Sequence, residues 1–462
     1  MANTNINKTY ASSGTRTKWT WSFWLKRGTI TNGDQVISTC HLDNSNQDVI
    51  RFGSADDKLD WWSYQSNSYS NGGRLQTNRV FRDCNAWYHI VLRWDSSNST
   101  AGDRMKMWVN GVEETSFSTD TNPTTNRESL FNYGNNSQTW KIGSGNNTQY
   151  FDGSLSHIHF CDNYLYQASD FGSTDSTTGE WKINASPNVQ YGTNGYTILK
   201  DGNTITDQSV NSNNWSAGTG TLTKTEDNPS NVFATLNPLY GNGSYTFANG
   251  NNSLECNNTN NWGITVPATL GATSGKYYWE ARQVAGSHTD YNVFSFIQTD
   301  YNYTGSNLIA SAYLNGIQTH SGGTCTLYVG TNNNNYAKSG GSNISISDND
   351  IVSFALDIDN QKGWIAKNGV WIDDLSGNAG NPTTGANALF TSSTIPSGQM
   401  YSPCSIQYYD PKCQYNFGNG YFGTTAVSSN SGNGYSATGS LGIFQYQPPT
   451  GYTALSTKGL NL

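Results

Sequence analysis

The sequence predicts an all-β protein made of two β-sandwich domains in series, and three observations carry that prediction. Short runs of apolar residues, many alternating with polar ones, recur along the chain with Asn, Asp, Gly and Ser clusters between them. Two stretches share one hairpin grammar: Met105-Lys106-Met107-Trp108-Val109-Asn110-Gly111-Val112 in the first half and Gly363-Trp364-Ile365-Ala366-Lys367-Asn368-Gly369-Val370 in the second, each turning on Asn-Gly. At 462 residues the chain exceeds the size at which a single core keeps growing, so two domains of about 200 residues are expected.

The first domain is expected over residues 1–182. Thr20-Trp21-Ser22-Phe23-Trp24-Leu25 opens it as a strand, and Gln35 to Cys40, Val49 to Phe52 and Lys58 to Trp62 follow at short spacing. Trp87-Tyr88-His89-Ile90-Val91-Leu92-Arg93-Trp94-Asp95 reads as a half-buried strand feeding the first Asn-Gly hairpin. Lys141-Ile142-Gly143 and then Phe151-Asp152-Gly153-Ser154-Leu155 to Phe160 close the domain, and strict alternation puts Leu155, His157 and His159 on one face with Ile158 and Phe160 on the other. This ordered series of five motifs over about 160 residues resembles the laminin-G-like, or concanavalin A-like, jelly roll.

Residues 183–239 read as a connector, rich in Gly, Ser, Asn and Thr apart from one candidate strand at Asn194 to Leu199. The second domain spans 240–424. Its elements Gly275-Lys276-Tyr277-Tyr278-Trp279-Glu280, Asp350 to Asp357, Lys367-Asn368-Gly369, Tyr401-Ser402-Pro403 and Asn416-Phe417-Gly418 resemble, in type and order, a SPRY domain. That resemblance implies a curved sandwich binding proteins or peptides through rim loops. Trp364 before the turn and the long Asn-rich insert from Thr331 to Asn343 depart from the family pattern. Residues 425–462 read as a Gly/Ser-rich arm ending in a Pro448-Pro449 tail, a stiff extended step.

Composition excludes several function classes. Lys plus Arg is 25 and Asp plus Glu is 33, a net charge of −8, and only 13% of residues are charged. The scattered cations cannot track phosphates, so no nucleic-acid partner is expected. No window approaches the ~18 apolar residues of a membrane span, so no membrane insertion is expected. The N-terminus lacks a signal-peptide core, which predicts synthesis in a cytoplasm. The seven cysteines are widely spaced and odd in number, which predicts reduced, buried thiols, with a Cys404–Cys413 bridge conceivable across a hairpin.

Candidate chemistry is sparse. No strand carries the spaced carboxylate pair that glycoside hydrolysis needs, so a non-enzymatic protein is expected, with polysaccharide depolymerase as a minor alternative. Sugar binding would rest on flat rings: Trp61, Trp62, Tyr64 and Tyr69 in the first domain, and Tyr291, Tyr301 and Tyr303 at a rim of the second. Neighbours on a strand face opposite ways, so only one of Trp61 and Trp62 can be core, and the other meets solvent, a subunit or a ligand. Calcium is the one cofactor considered, with Asp43, Asn44 and Asp48 as ligands in a loop and Asp56-Asp57 in another.

Taken with the connector's Glu226-Asp227-Asn228-Pro229-Ser230-Asn231-Val232-Phe233 and the tail's Pro448-Pro449-Thr450-Gly451-Tyr452, the domain order resembles virion structural proteins of marine bacteriophages. The resemblance implies a virion surface protein whose partners are other virion proteins and host surface glycans or receptors. It serves as a tail or fibre component or, alternatively, as a capsid decoration protein. A homo-oligomer is expected, a trimer being compatible with virion symmetry, formed through sheet faces or loops because no coiled-coil heptads are present.

Overall fold

The computed structural model describes residues 3–30, 33–146, 148–200, 204–240, 245–256, 264–284, 291–299, 314–320, 323–330, 332–408, 410–427 and 435–462. The fold is nearly all β, 47% strand and 4% helix. The chain divides into two compact units, Met1–Lys224 with Asn228–Ser230, and Thr225–Asp227 with Asn231–Leu462.

In the first unit, a six-stranded sheet runs Tyr196–Ile198, Gly153–Asp162, Lys18–Arg27, Trp87–Asp95, Met105–Val109, Val112–Glu113. An eight-stranded sheet runs Phe117–Thr121, Arg74–Val80, Lys58–Gln65, Asn46–Phe52, Gln35–Asp43, Thr139–Ile142, Ile6–Thr9, Ser216–Ala217. Strand alternation sends Trp19, Trp21, Phe23 and Leu25 from one sheet and Leu59 and Trp61 from the other into a shared core. Trp19 stacks on Trp94 at 6.2 Å and meets Trp61 at 5.7 Å. Side chains of this size bury about 150–250 Å² each, so a few tryptophans supply much of the apolar area holding the two sheets together.

The closing strand Gly153–Asp162 corrects the expected alternation. Its pairing with Lys18–Arg27 slips between Ser156 and His159, and His157 takes φ 46°, a bulge. The extra residue shifts the phase, so Leu155 packs on the same core as Ile158 and Phe160. His159 lies on the outer face, bonded through Nδ1 to Tyr191 Oη at 2.9 Å.

The expected connector is mostly part of the first sandwich. Tyr196–Ile198 pairs with the closing strand, Ser216–Ala217 pairs with Ile6–Thr9, and Trp215 packs in the core 5.1 Å from Tyr196. Its polar composition serves self-bonding turns, as where Asp207 accepts Thr197 N, Ser209 N and Asn213 N. Phe233, Ala234 and Leu236, at its far end, are buried in the second unit.

The second unit stacks two sheets. One runs Tyr245–Ala248, Ser253–Cys256, Lys412–Asn416, Lys276–Val284, Ile351–Asp357, Lys362–Lys367, Val370–Trp371, and the other runs Ile264–Pro267, Tyr401–Tyr408, Tyr291–Gln298, Leu314–His320, Thr326–Val329, Asn332–Tyr336. Trp279 stacks on Phe354 at 5.0 Å in the core between them. The Asn-rich insert supplies the edge strand Asn332–Tyr336.

The predicted hairpins form and share more than their turns. Asn110 and Gly111 take φ 48° and 83°, Asn368 and Gly369 take φ 48° and 80°, the double positive φ of a type I′ turn. Each Asn also pins the neighbouring strand: Asn110 Oδ1 accepts His89 N, and Asn368 Oδ1 accepts Ile351 N. A Cβ on Gly111 would meet Trp181 at 2.3 Å, and one on Gly369 would meet Tyr446 at 2.7 Å, so an aromatic from a later segment lies on each turn.

The C-terminal arm is another correction, because much of it is packed. Lys276–Val284 pairs with Lys412–Asn416 only from Glu280 onward, and Thr453–Ala454 adds in parallel beside Tyr277 and Tyr278. Phe444, Tyr452 and Ala454 bury against Phe233, Tyr278 and Trp364. Glu280, fully buried, accepts Gln445 N (2.9 Å), Tyr446 N (2.8 Å), Tyr278 Oη (3.0 Å) and Asn416 Nδ2 (3.1 Å). All seven cysteines are buried and none is in a disulfide; Cys404 and Cys413 belong to different apolar clusters.

Candidate ligand-binding face

The ring cluster predicted in the first unit divides across its strand. Trp61 is 1% exposed in the core and so cannot contact a ligand, a correction to its place among the predicted binding residues. Asp60, Trp62 and Tyr64 alternate onto the outer face of Lys58–Gln65, with Arg74 opposite Trp62 on one neighbouring strand and Arg51 opposite Asp60 on the other.

Trp62 faces outward but is covered by its own sheet, leaving it 6% exposed. The Arg51 guanidinium lies 4.6 Å from its ring centroid, and Arg74 lies 5.7 Å away. Asp60 holds Arg74 in a bidentate fork, Nε at 2.9 Å and Nη2 at 2.8 Å, while Arg51 pairs with Asp34. Tyr69 stands edge-on to Trp62 at 6.4 Å and packs on Tyr64 at 4.8 Å. It sits in the single-turn helix Tyr69–Gly72, capped where Ser68 Oγ accepts Ser70 N. The Trp62 Nε1–H is buried without an acceptor. The open surface is therefore Tyr69, 37% exposed, with the partly exposed Tyr64 and the rims of two charge-balanced arginines.

This face is neutral, aromatic and rich in oriented N–H and O–H groups. It can stack a flat apolar ring face and bond hydroxyls. Arg51, Arg74 and Asp60 escaped the sequence reading, although Asp60-x-Trp62-x-Tyr64 is a period-2 run that places the carboxylate and rings together.

The predicted calcium set does not converge. Asp43 is exposed at a turn, where its Oδ1 accepts Ser45 N and Asn46 Nδ2, and Asn44 is exposed beside it. Asp48 points inward, its Oδ2 accepting Ser129 Oγ, Leu130 N and Phe131 N, and burial pushes its carboxyl pKa up against those donors. Asp57 is buried between Arg27 (2.8 Å) and Arg82 (3.1 Å). Among the described residues no group of three or more His, Cys, Asp or Glu is placed to hold a metal ion.

One Ser–His pair invites comparison with a nucleophile. Ser22 Oγ lies 2.8 Å from His89 Nε2, but Trp181 Nε1 donates to His89 Nδ1 at 3.0 Å. The donated bond assigns the proton to Nε2, so His89 gives a hydrogen to Ser22 and cannot take one from it. Trp24 and Trp181 stack on the imidazole at 4.8 and 5.9 Å, and burial drives its pKa down to about 3. The pair is a structural pin. In the second unit, Tyr291 is half-buried 5.8 Å from Tyr408, while Tyr301 and Tyr303 lie outside the described residues.

Residues 3–169 match the concanavalin A-like lectin/glucanases superfamily in its laminin G form. Solved structures with similarity to the chain include the SPRY domain of human HERC1 (15% identity, TM-score 0.29, covering 39% of this chain and 96% of that one). They also include the TRIM65 PSpry domain (12%, 0.27, 40% and 91%) and a heptameric SAP-like pentraxin from Limulus polyphemus (17%, 0.29, 47% and 89%). No curated protein matches the chain.

Proposed function

We propose that this chain is a non-enzymatic adhesion protein whose first sandwich binds surface glycans or receptors through the Trp62–Tyr69 face, displayed on a bacteriophage particle. The observation carrying the reading is that face: an exposed tyrosine braced by a buried tryptophan and two arginines whose charges are already neutralised. A preorganised, neutral aromatic surface on a concanavalin A-like sandwich suits a polyhydroxylated ligand better than an ionic one. The virion assignment rests on the sequence resemblance of domain order and tail motif.

Glycan-array binding by the full chain tests it. Tyr69→Ala lowers the affinity for the bound glycan about three- to tenfold, the worth of one ring stack. Equal binding by wild type and variant, or no glycan or host-cell binding at all, defeats the adhesion reading. Absence of the chain from purified particles defeats the virion part, and a copy number matching the shell moves the protein from tail to head.

A further inference from the structure

The opposite sheet of the first unit carries a cation, Arg93, with no anionic partner among the described residues. Core residues Trp19, Trp21, Leu92, Trp94, Met105 and Met107 fix the phase of three adjacent strands, so Lys18, Thr20, Arg93, Lys106 and Trp108 all point outward. Arg93 stands in register between Thr20 and Lys106. Its guanidinium lies 5.1 Å over the Trp108 ring.

The neighbouring Lys106 is paired, and Arg93 is not, among the described residues. Lys106 Nζ is held by Asp103 at 3.1 Å and Glu113 at 2.8 Å, whereas the Asp95 carboxylate, in register opposite Lys18, accepts the neutral Ser97 Oγ at 2.6 Å and keeps its negative charge. Among the described residues Arg93 makes no side-chain hydrogen bond or ion pair, and its Nε is buried without an acceptor. The buried Nε cannot meet a ligand, but the two terminal nitrogens are not buried and have no acceptor among the described residues, so they are the donors an incoming oxyanion would use. Lys18, diagonal to Arg93, makes no ion pair among the described residues, and its charge is offset by Asp95 opposite it. Beside them Thr20 Oγ1 donates to Tyr164 O and accepts Tyr166 N, both at 2.9 Å, which fixes a loop where Tyr164 is 38% exposed and stacks on Tyr166.

We propose that Arg93, beside the Tyr164 loop, forms a second saccharide subsite that takes a carboxylate-bearing sugar of the uronic acid type. The guanidinium, braced on Trp108, offers a planar fork to the planar carboxylate while the sugar ring lies against Tyr164. The subsite rests on the reading of the first sandwich as a glycan-binding module, and it differs from the Trp62–Tyr69 face in requiring ligand charge.

The test is titration of the full chain with D-glucuronate, D-glucose and inorganic sulfate, followed by NMR. Glucuronate binds at least about tenfold tighter than glucose, a preference lost in Arg93→Gln. Arg93→Lys, which keeps the charge and loses the fork, retains only part of it, and a thermal melt checks that each variant is folded. Equal binding of glucuronate and glucose overturns the proposal, as does a preference that survives in folded Arg93→Gln. Sulfate binding as tight as glucuronate and unaffected by Tyr164→Ala also overturns it, as an oxyanion site without a sugar. The neutral-glycan response to Tyr69→Ala is measured separately, so either site can fail while the other stands.

Discussion

Glu280 joins the second sandwich to its C-terminal segment, and its titration gives a quantitative test of that packing. The carboxylate is fully buried, which raises its pKa, while the two backbone N–H groups of Gln445 and Tyr446, Tyr278 Oη and Asn416 Nδ2 pull it back, leaving it at about 7. A Glu free of burial, as in the unfolded chain, has an ordinary value of 4.5. Between those values the folded state holds more protons than the unfolded one, so stability falls as pH rises. The contribution is complete below about pH 4.5 and gone above about pH 7, and a gap of roughly 2.5 units at 1.36 kcal/mol each sets it at about 3 kcal/mol. Glu280→Gln removes the ionisation. It also points an amide at donors, costing about 1–3 kcal/mol at low pH. The assay is urea denaturation of wild type and Glu280→Gln at pH 5, 6, 7 and 8, reading the transition of the second unit. From pH 5 to pH 8 the wild type should lose about 2.5 kcal/mol relative to Glu280→Gln, enough to close or reverse the difference between them, other titrating groups cancelling. A difference constant to within about 0.5 kcal/mol would refute the assignment of a desolvated carboxylate at this junction.

Two more perturbations follow from the packing. His89 is held neutral with its pKa depressed to about 3, so its stabilisation of the first unit is present above pH 6.5 and is lost as pH falls towards 3, by up to about 5 kcal/mol. In His89→Phe, which keeps a ring between Trp24 and Trp181, that acid sensitivity shrinks in denaturant titrations at pH 4 and 7; an unchanged pH dependence contradicts it. Phe444→Ala empties a fully buried site 4.9 Å from the Tyr278 ring, and about 3–5 kcal/mol is lost from the second unit with proteolysis beginning after residue 435. A thermal midpoint within a degree or two of wild type shows instead that the tail is dispensable.

The composition and periodicity of the chain determined its all-β class, the two sandwiches and the positions of both Asn-Gly hairpins, because turn chemistry and side-chain alternation are local properties. The division of Trp61 from Trp62 into core and outer face was equally legible, since adjacent strand residues must diverge. Only the tertiary structure decided what covers the outer face. Arg51 and Arg74 reach Trp62 from neighbouring strands, and Asp48 turns inward to loop amides more than 80 residues away. The bulge at His157, the incorporation of the supposed connector and the docking of the tail on Glu280 are likewise non-local. A segment rich in Asn, Ser and Gly looks like a linker by composition, yet buried rings such as Trp215 and Phe444 supply enough apolar contact to fix it when a complementary sheet face lies beside it.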